Sequence, residues 1–196
     1  MNPVVRLGNR SVYCSGVLVA PDFRRAPHAA TRLVLTCAHY WMPIRGEYEA
    51  KAPGLRSRIT AVRTIDGTDL ALALLERPAE PRTLPGVGAA PRTGDAVVSW
   101  GFGGNAPVAQ RKDGTVVAAL PAAFSADLRT RVRYGAAVRN NAIKGDSGGP
   151  VMAAGVVVGI QSLIADPFGR NLGVATVAAV APHLPALRAA AAALLD

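Results

Sequence analysis

The chain has 196 residues, of which 50% are hydrophobic, so it is long enough for one large domain or for two small halves that share a core. This composition argues against disorder, and no apolar run reaches the roughly 18 residues that a membrane-spanning helix needs. The net charge of +9 comes from scattered basic residues, mostly arginine, without an aromatic-rich basic motif. We therefore expect neither nucleic-acid binding nor membrane binding.

Short extended segments separated by glycine and proline recur along the chain, a pattern typical of an all-β protein. Arg129, Arg131 and Arg133 alternate within one such segment, which favours a solvated outer face. The alanine-rich residues 182–195 predict a C-terminal helix. The predicted strands are residues 11–19, 32–36, 69–75, 96–100, 115–120, 128–138, 150–160 and 172–180.

Four prolines between residues 78 and 91 separate the two β-rich halves, and this stretch is interpreted as a linker. Two cysteines, Cys14 and Cys37, allow either one disulfide or two free thiols. The N-terminus lacks the basic start and apolar stretch of a signal peptide. The sequence thus predicts a cytoplasmic protein. The alternative is a secreted protein whose leader has been removed.

The run Gly-Asp-Ser-Gly-Gly-Pro at residues 145–150 is the most specific chemical signal in the chain. The glycines around Ser147 allow a tight turn and close approach of a substrate to the backbone. In such a turn the amides of Gly145 and Ser147 can converge on one point, as the oxyanion hole of an acyl-transfer enzyme requires. Ser147 is therefore the candidate nucleophile.

A serine nucleophile needs a base, and the base needs a carboxylate that orients it. Of the three histidines, His28 lies in a loop with an exposed composition and His183 follows a proline at the start of the predicted helix. His39 follows directly after an apolar strand, which would hold it rigidly. Asp66 and Asp69 both precede the next apolar strand, and both remain candidates on spacing alone.

Three segments resemble the motifs of the trypsin/chymotrypsin family, and they occur in that family's order. They are Leu-Thr-Cys-Ala-His at 35–39, Asp-Leu-Ala-Leu at 69–72 and the serine run at 145–150. The resemblance covers nearly the whole chain, in the short form typical of bacterial members. It implies two six-stranded antiparallel β-barrels and a C-terminal α-helix: an N-terminal barrel at 1–80, a linker at 81–93, a C-terminal barrel at 94–181 and the helix at 182–196.

Carried over motif by motif, the resemblance makes His39 the general base and acid, Asp69 its orienting carboxylate and Ser147 the acylated nucleophile. It implies that Ser162 supports Asp69 by a hydrogen bond, and that the backbone after Ser162 pairs with an extended substrate. The implied partner is a protein or peptide substrate, with a regulatory partner protein as a further expectation. No cofactor and no metal are expected.

The resemblance also assigns the specificity pocket. Asn141 would lie at its base, Ile164 at its mouth and Gly173 on the opposite wall. A neutral and partly obstructed pocket predicts cleavage after small or medium uncharged residues rather than after Arg or Lys.

Two features depart from the family pattern. A cysteine that often follows the catalytic histidine is replaced by Tyr40, so that a disulfide would have to join Cys14 to Cys37. In secreted animal members, the aspartate before the nucleophile pairs with a newly cut N-terminal amine, and Asp146 occupies this position here. This chain starts Met-Asn-Pro, so we expect an internal arginine to pair with Asp146 instead.

Two other interpretations were weighed. The serine run also fits the G-x-S-x-G elbow of α/β-hydrolases, with Asp166 and His183 as later partners, but no alternation of strands and helices precedes it. A catalytically silent binding or scaffold protein on the same fold is the second interpretation, because fold alone does not imply function. Retention of all three candidate triad residues favours the enzyme.

Overall fold

The computed structural model describes residues 1–41, 46–165 and 171–196. Its first half forms a closed antiparallel barrel with the strand order β1-β2-β4-β7-β6-β5. The short strands β3 (Ala26–Pro27) and β8 (Thr83–Leu84) pair with each other outside the barrel. The barrel strands are β1 (Val4–Gly8), β2 (Tyr13–Val19), β4 (Thr31–Thr36), β5 (Glu49–Ala52), β6 (Leu55–Ile65) and β7 (Leu70–Ala79).

The second half forms another closed antiparallel barrel, with the order β10-β11-β14-β13-β12-β9. Two closed six-stranded barrels and one C-terminal helix are the architecture that the family resemblance implied, and this expectation is confirmed. The strands are β9 (Ala96–Gly101), β10 (Gln110–Phe124), β11 (Arg131–Arg139), β12 (Pro150–Ala153), β13 (Val156–Ile164) and β14 (Val174–Ala179).

The C-terminal helix α1 (Leu184–Leu195) packs against the first barrel although it follows the second. Its buried residues Leu187, Ala190, Ala191 and Leu194 recur at helical spacing and join the core cluster of the first barrel. The same cluster includes Ile160 and Val180 of the second half, so one continuous core holds the two barrels together. Among the described residues, no helix has the length and hydrophobicity to cross a bilayer.

Several strands differ from their sequence-based predictions. Residues 150–160 form a hairpin rather than one strand, because Ala154 and Gly155 both have positive φ (47° and 80°) and turn the chain. Leu128 lies in the turn before β11, with φ of 61° and 74% exposure, so the alternation predicted from residue 128 begins only at Thr130.

Three strands of the first barrel were missed from the sequence: β1, β5 and β6. The 11-residue strand β6 alternates between inward and outward residues only from Leu55 to Ala61, and the inward residue 57 is a serine, so its hydrophobic alternation is incomplete. β7 was predicted too short, since it continues past Leu75 through Pro78 to Ala79. These strands are specified by their partners across the barrel more than by their own composition.

We predict that Leu187→Ala lowers the free energy of unfolding by about 2–5 kcal/mol, because the leucine is fully buried between α1 and the first barrel. Leu195→Ala in the same helix is the matched control: this leucine is 40% exposed, and its loss is expected to cost less than about 1 kcal/mol. Urea unfolding of both variants measures the difference. Equal destabilisation would contradict the packing of α1 described above.

Candidate active site

Barrel topology brings His39 and Asp69 together. β4 and β7 are antiparallel neighbours, with Thr36 paired to Ala71, so the residues after β4 lie beside those before β7. His39 starts a short 3₁₀ turn after β4, and Asp69 directly precedes β7. Asp69 Oδ1 accepts a hydrogen bond from the backbone amide of His39 at 2.7 Å, and its Oδ2 lies 2.7 Å from His39 Nδ1.

The carboxylate of Asp69 is almost completely buried, with 1% of its side chain exposed, and it is fully engaged. Besides its two contacts with His39, it accepts a hydrogen bond from the Ser162 hydroxyl of β13, as the resemblance implied. With Nδ1 donating to Asp69, the neutral imidazole carries its lone pair on Nε2. Asp66, the competing carboxylate, is exposed and makes no hydrogen bond with His39.

Opposing effects act on the pKa of His39. Burial lowers the pKa of His39, whereas the charge that a Cys37 thiolate would carry and the interactions with Asp69 raise it. Burial also raises the pKa of Cys37 well above 9.0, so this thiol is neutral near pH 7. At neutral pH the interaction with Asp69 therefore remains, and this interaction raises the pKa of His39.

Ser147 lies in the turn between β11 and β12, where Gly145 and Gly148 both have positive φ (100° and 82°). The carbonyl of Lys144 accepts a hydrogen bond from the Gly104 amide at 3.0 Å. Because a trans peptide directs its N–H opposite to its C=O, the Gly145 amide points away from Gly104. Within the described part of the chain, the amides of Gly145 and Ser147 have no acceptor. Two free donors are thus available in the predicted oxyanion turn.

Ser15, which the sequence reasoning missed, fixes this turn from the first barrel. Its hydroxyl donates to the Gly145 carbonyl at 2.7 Å and accepts from the Phe102 amide at 2.9 Å. Its own amide donates to the Ser147 carbonyl at 2.7 Å. Ser15 is fully buried in the otherwise apolar strand β2, and a buried serine in an apolar strand was the available signal.

Asp146 is held by a lysine, which corrects the expectation of an arginine. Lys112 Nζ forms a short ion pair with Asp146 Oδ2, and the amides of Gly103 and Ile143 donate to the same carboxylate at 2.8 and 2.9 Å. A Cβ on Gly103 would lie 2.5 Å from Asp146 Oδ1. The carboxylate therefore occupies space that glycine leaves free, and Lys112 reaches it from the neighbouring strand β10.

Ser147 and His39 are connected through Ser162 and Asp69, but they are not hydrogen-bonded to each other. The Ser147 hydroxyl donates to the Ser162 carbonyl at 3.3 Å, while the Ser162 hydroxyl donates to Asp69. His39 Nε2 instead lies 4.0 Å from Cys37 Sγ. Catalytic hydrogen bonds are often long or poorly aligned in ligand-free enzymes. Rotation of the Ser147 side chain to another rotamer would direct its hydroxyl away from the Ser162 carbonyl and towards a different acceptor.

Cys14 and Cys37, for which the sequence left a disulfide and two free thiols open, are both buried free thiols. Cys14 Sγ lies 3.7 Å from Thr36 Oγ1, and Cys37 Sγ faces His39 as described above. Each sulfur thus has a polar neighbour other than the second cysteine. The alternative of two free thiols describes the structure.

The predicted pocket residues fall into two places. Asn141, which is exposed with φ of 51°, lies beside Gly173, and its Oδ1 is 2.6 Å from the position of a Cβ on Gly173. The backbone amide of Asn141 donates to the Gly173 carbonyl at 3.2 Å. Ile164 is half-buried at the end of β13, paired with Ala175. The Asn141 side chain fills the space that Gly173 leaves open.

The α/β-hydrolase interpretation finds no support. His183 lies in a 3₁₀ turn before α1, next to Tyr134, and its Nε2 is 3.2 Å from the Arg133 carbonyl rather than near Ser147. Asp166 lies outside the described residues. In the described ranges, no group of three or more His, Cys, Asp or Glu side chains could hold a metal ion.

Two closed barrels with a buried carboxylate–imidazole pair and a glycine-framed serine between them are the arrangement of chymotrypsin-like serine peptidases. The family profile of the trypsin-like peptidase domain matches residues 14–160, a range that includes His39, Asp69 and Ser147. The chain belongs to this family of trypsin-like peptidase domains. No curated protein matches its sequence.

Solved structures share the fold at low sequence identity. The active form of the Rv3671c protease from M. tuberculosis has a TM-score of 0.71 at 20% identity, covering 93% of this chain and 79% of that one. The apo MamO protease domain from Magnetospirillum magneticum has a TM-score of 0.72 at 21% identity, covering 94% and 95%. A serine endoprotease from Yersinia pestis has a TM-score of 0.71 at 19% identity, covering 97% and 63%. At these identities they establish the fold alone.

We predict that Lys112→Met lowers the free energy of unfolding by about 3–5 kcal/mol, because it leaves the buried Asp146 carboxylate without its cation. Arg111→Met on the same strand is the matched control. Arg111 and its partner Asp113 are exposed, at 57% and 75%, so its loss is expected to cost no more than about 1 kcal/mol. Urea denaturation of both variants distinguishes these outcomes, and equal stability of the two would show that Lys112 does not neutralise Asp146.

Proposed function

We propose that the chain is a serine endopeptidase that acts through an acyl-enzyme on Ser147. The observation that carries the proposal is the hydrogen-bonded unit of His39, buried Asp69 and Ser162, which lies next to Ser147 through the Ser162 carbonyl. This unit supplies an oriented base beside a glycine-framed hydroxyl. Membership of the trypsin-like peptidase family supports the same reaction class.

In this mechanism His39 Nε2 accepts the Ser147 proton as Oγ attacks the scissile carbonyl. The imidazolium that forms is stabilised by Asp69, whose charge is buried and already paired with Nδ1. The amides of Gly145 and Ser147 stabilise the oxyanion, and a single such donor typically contributes about 3–4 kcal/mol. His39 then donates its proton to the leaving amine, and water attacks the acyl-enzyme in a second, equivalent cycle.

We propose that cleavage follows small or medium uncharged residues. The Asn141 side chain lies against Gly173, and this contact supports a shallow pocket without a carboxylate at its base. An acidic group there would be required to bind Arg or Lys of a substrate. The end of β13, from Ser162 to Ile164, is the edge that would pair with the extended substrate.

Ser147→Ala and His39→Ala are expected to lower peptide hydrolysis by about 10⁴-fold or more, because each removes a group that takes part in bond breaking. Ser125→Ala is the matched control: Ser125 is half-buried like Ser147 but lies in the turn before β11, hydrogen-bonded to Asp127, so this variant should retain wild-type rates. Hydrolysis of a mixed peptide library, followed by mass spectrometry, measures both rate and cleavage position. Wild-type activity in Ser147→Ala would contradict the assignment of the nucleophile, and an inactive wild type would support the silent scaffold instead.

The pH dependence should report the interaction between His39 and Asp69. Because the interaction with Asp69 raises the pKa of His39, kcat/KM is expected to rise with pH as the imidazole loses its proton, with a midpoint that depends on Asp69. Asp69→Asn should move this midpoint downward and lower kcat by about 10⁴-fold. A midpoint that is unchanged or higher in Asp69→Asn would contradict the proposed stabilisation of the imidazolium.

A further inference from the structure

A cavity of about 580 Å³ opens beside His39 and Gly145. It touches the candidate base and one candidate oxyanion donor, but its lining includes none of Ser162, Ile164 and Gly173. Those three residues are the ones proposed for the acyl part of the substrate. Since His39 must deliver its proton to the leaving amine, the leaving part of the substrate lies beside the imidazole. The cavity is therefore on the leaving-group side of the scissile bond.

Aromatic rings form the walls of this cavity. Tyr13, Tyr40 and Tyr48 line it, and the rings of Tyr40 and Tyr48 meet edge to face at 6.0 Å. Two of the three hydroxyls are already used by the protein. Tyr40 donates to the Val12 carbonyl at 3.0 Å, and Tyr13 accepts from the Asn105 amide at 2.6 Å. The O–H of Tyr40 is thus engaged, whereas Tyr13 only accepts and keeps its O–H as a donor, and both residues offer ring carbon to a ligand.

The charge around the cavity has one sign. Lys144 lines it and makes no salt bridge among the described residues. Arg6 stacks over the Tyr13 ring at 3.9 Å, which adds a second cation behind that wall. Of the residues that the structure describes, no acidic side chain lines the cavity. A cationic substrate side chain would meet like charge here, whereas an apolar one would bury its surface against the rings.

We propose that this cavity binds a bulky apolar side chain, aliphatic or aromatic, on the residue directly after the scissile bond, and that it rejects Arg and Lys there. The inference rests on the proposed endopeptidase function and adds a substrate preference that the acyl-side residues do not determine. The volume of the cavity lies within the usual range of ligand pockets, about 300–1,000 Å³.

The test uses acyl transfer, because it separates this site from acylation. The chain is acylated with a p-nitrophenyl ester of an N-acylated alanine, and amino-acid amides then compete with water. In aminolysis the amine nitrogen forms a bond to the acyl carbon while the bond from that carbon to Ser147 Oγ breaks. His39 takes the amine proton and returns it to Oγ. The ratio of amide product to acid product measures binding in the leaving-group site alone.

Leucine amide and phenylalanine amide are expected to exceed glycine amide in this ratio by on the order of tenfold, and arginine amide should fall well below leucine amide. Val12→Trp narrows the cavity from its rim and should bring the ratio for leucine amide down to that for glycine amide. Val108→Trp is the matched control, because Val108 is equally exposed (47%, against 48% for Val12) and does not line the cavity.

The outcomes are distinguishable. A burst of p-nitrophenol followed by equal ratios for leucine, glycine and arginine amides would overturn the apolar subsite and leave the endopeptidase standing. A preference for leucine amide that survives in Val12→Trp would also overturn it. Absence of the burst in the wild type would overturn the proposed function and this inference together.

Discussion

The buried carboxylate of Asp146 is the constraint on which the nucleophile turn depends. Its charge is neutralised by Lys112 and satisfied by the amides of Gly103 and Ile143. Burial of an unpaired carboxylate would cost several kcal/mol, so the turn is stable only while this set of donors is complete. Because Ser147 follows Asp146 directly, the position of the nucleophile follows from a charge held by the second barrel itself, without a newly cut N-terminal amine.

Hydrogen bonds between the two barrels complete the site. Ser15 of the first barrel ties down the carbonyls of Gly145 and Ser147, and Ser162 of the second barrel holds Asp69. The candidate base and its carboxylate come from the first barrel, the candidate nucleophile and oxyanion donors come from the second, and each set also receives a contact from the other barrel. The shared apolar core, which extends from the first barrel to Ile160 of the second, packs the two barrels against each other.

Residues that lie in short runs resembling family motifs could be predicted from the sequence, even where their contacts are distant. His39, Asp69, Ser147 and Ser162 belong to such runs, and Ser162 contacts Asp69 across 93 residues. Ser15 contacts Gly145 across 130 residues and Lys112 contacts Asp146 across 34, and no motif named from the sequence indicates either pair. Strands β5 and β6 escaped prediction because β5 has only four residues and β6 has a buried serine and a bulge before Ala61.

We propose that this chain folds directly into an active form, with Lys112 in the role of an activating cation. Titration of the intact protein with a fluorophosphonate, after mass spectrometry has confirmed that Met1 is present, tests this proposal. We expect close to one phosphonate per chain, attached to Ser147, with labelling strongly reduced in Lys112→Met. An intact chain that stays unlabelled and reacts only after its N-terminus has been trimmed would contradict it.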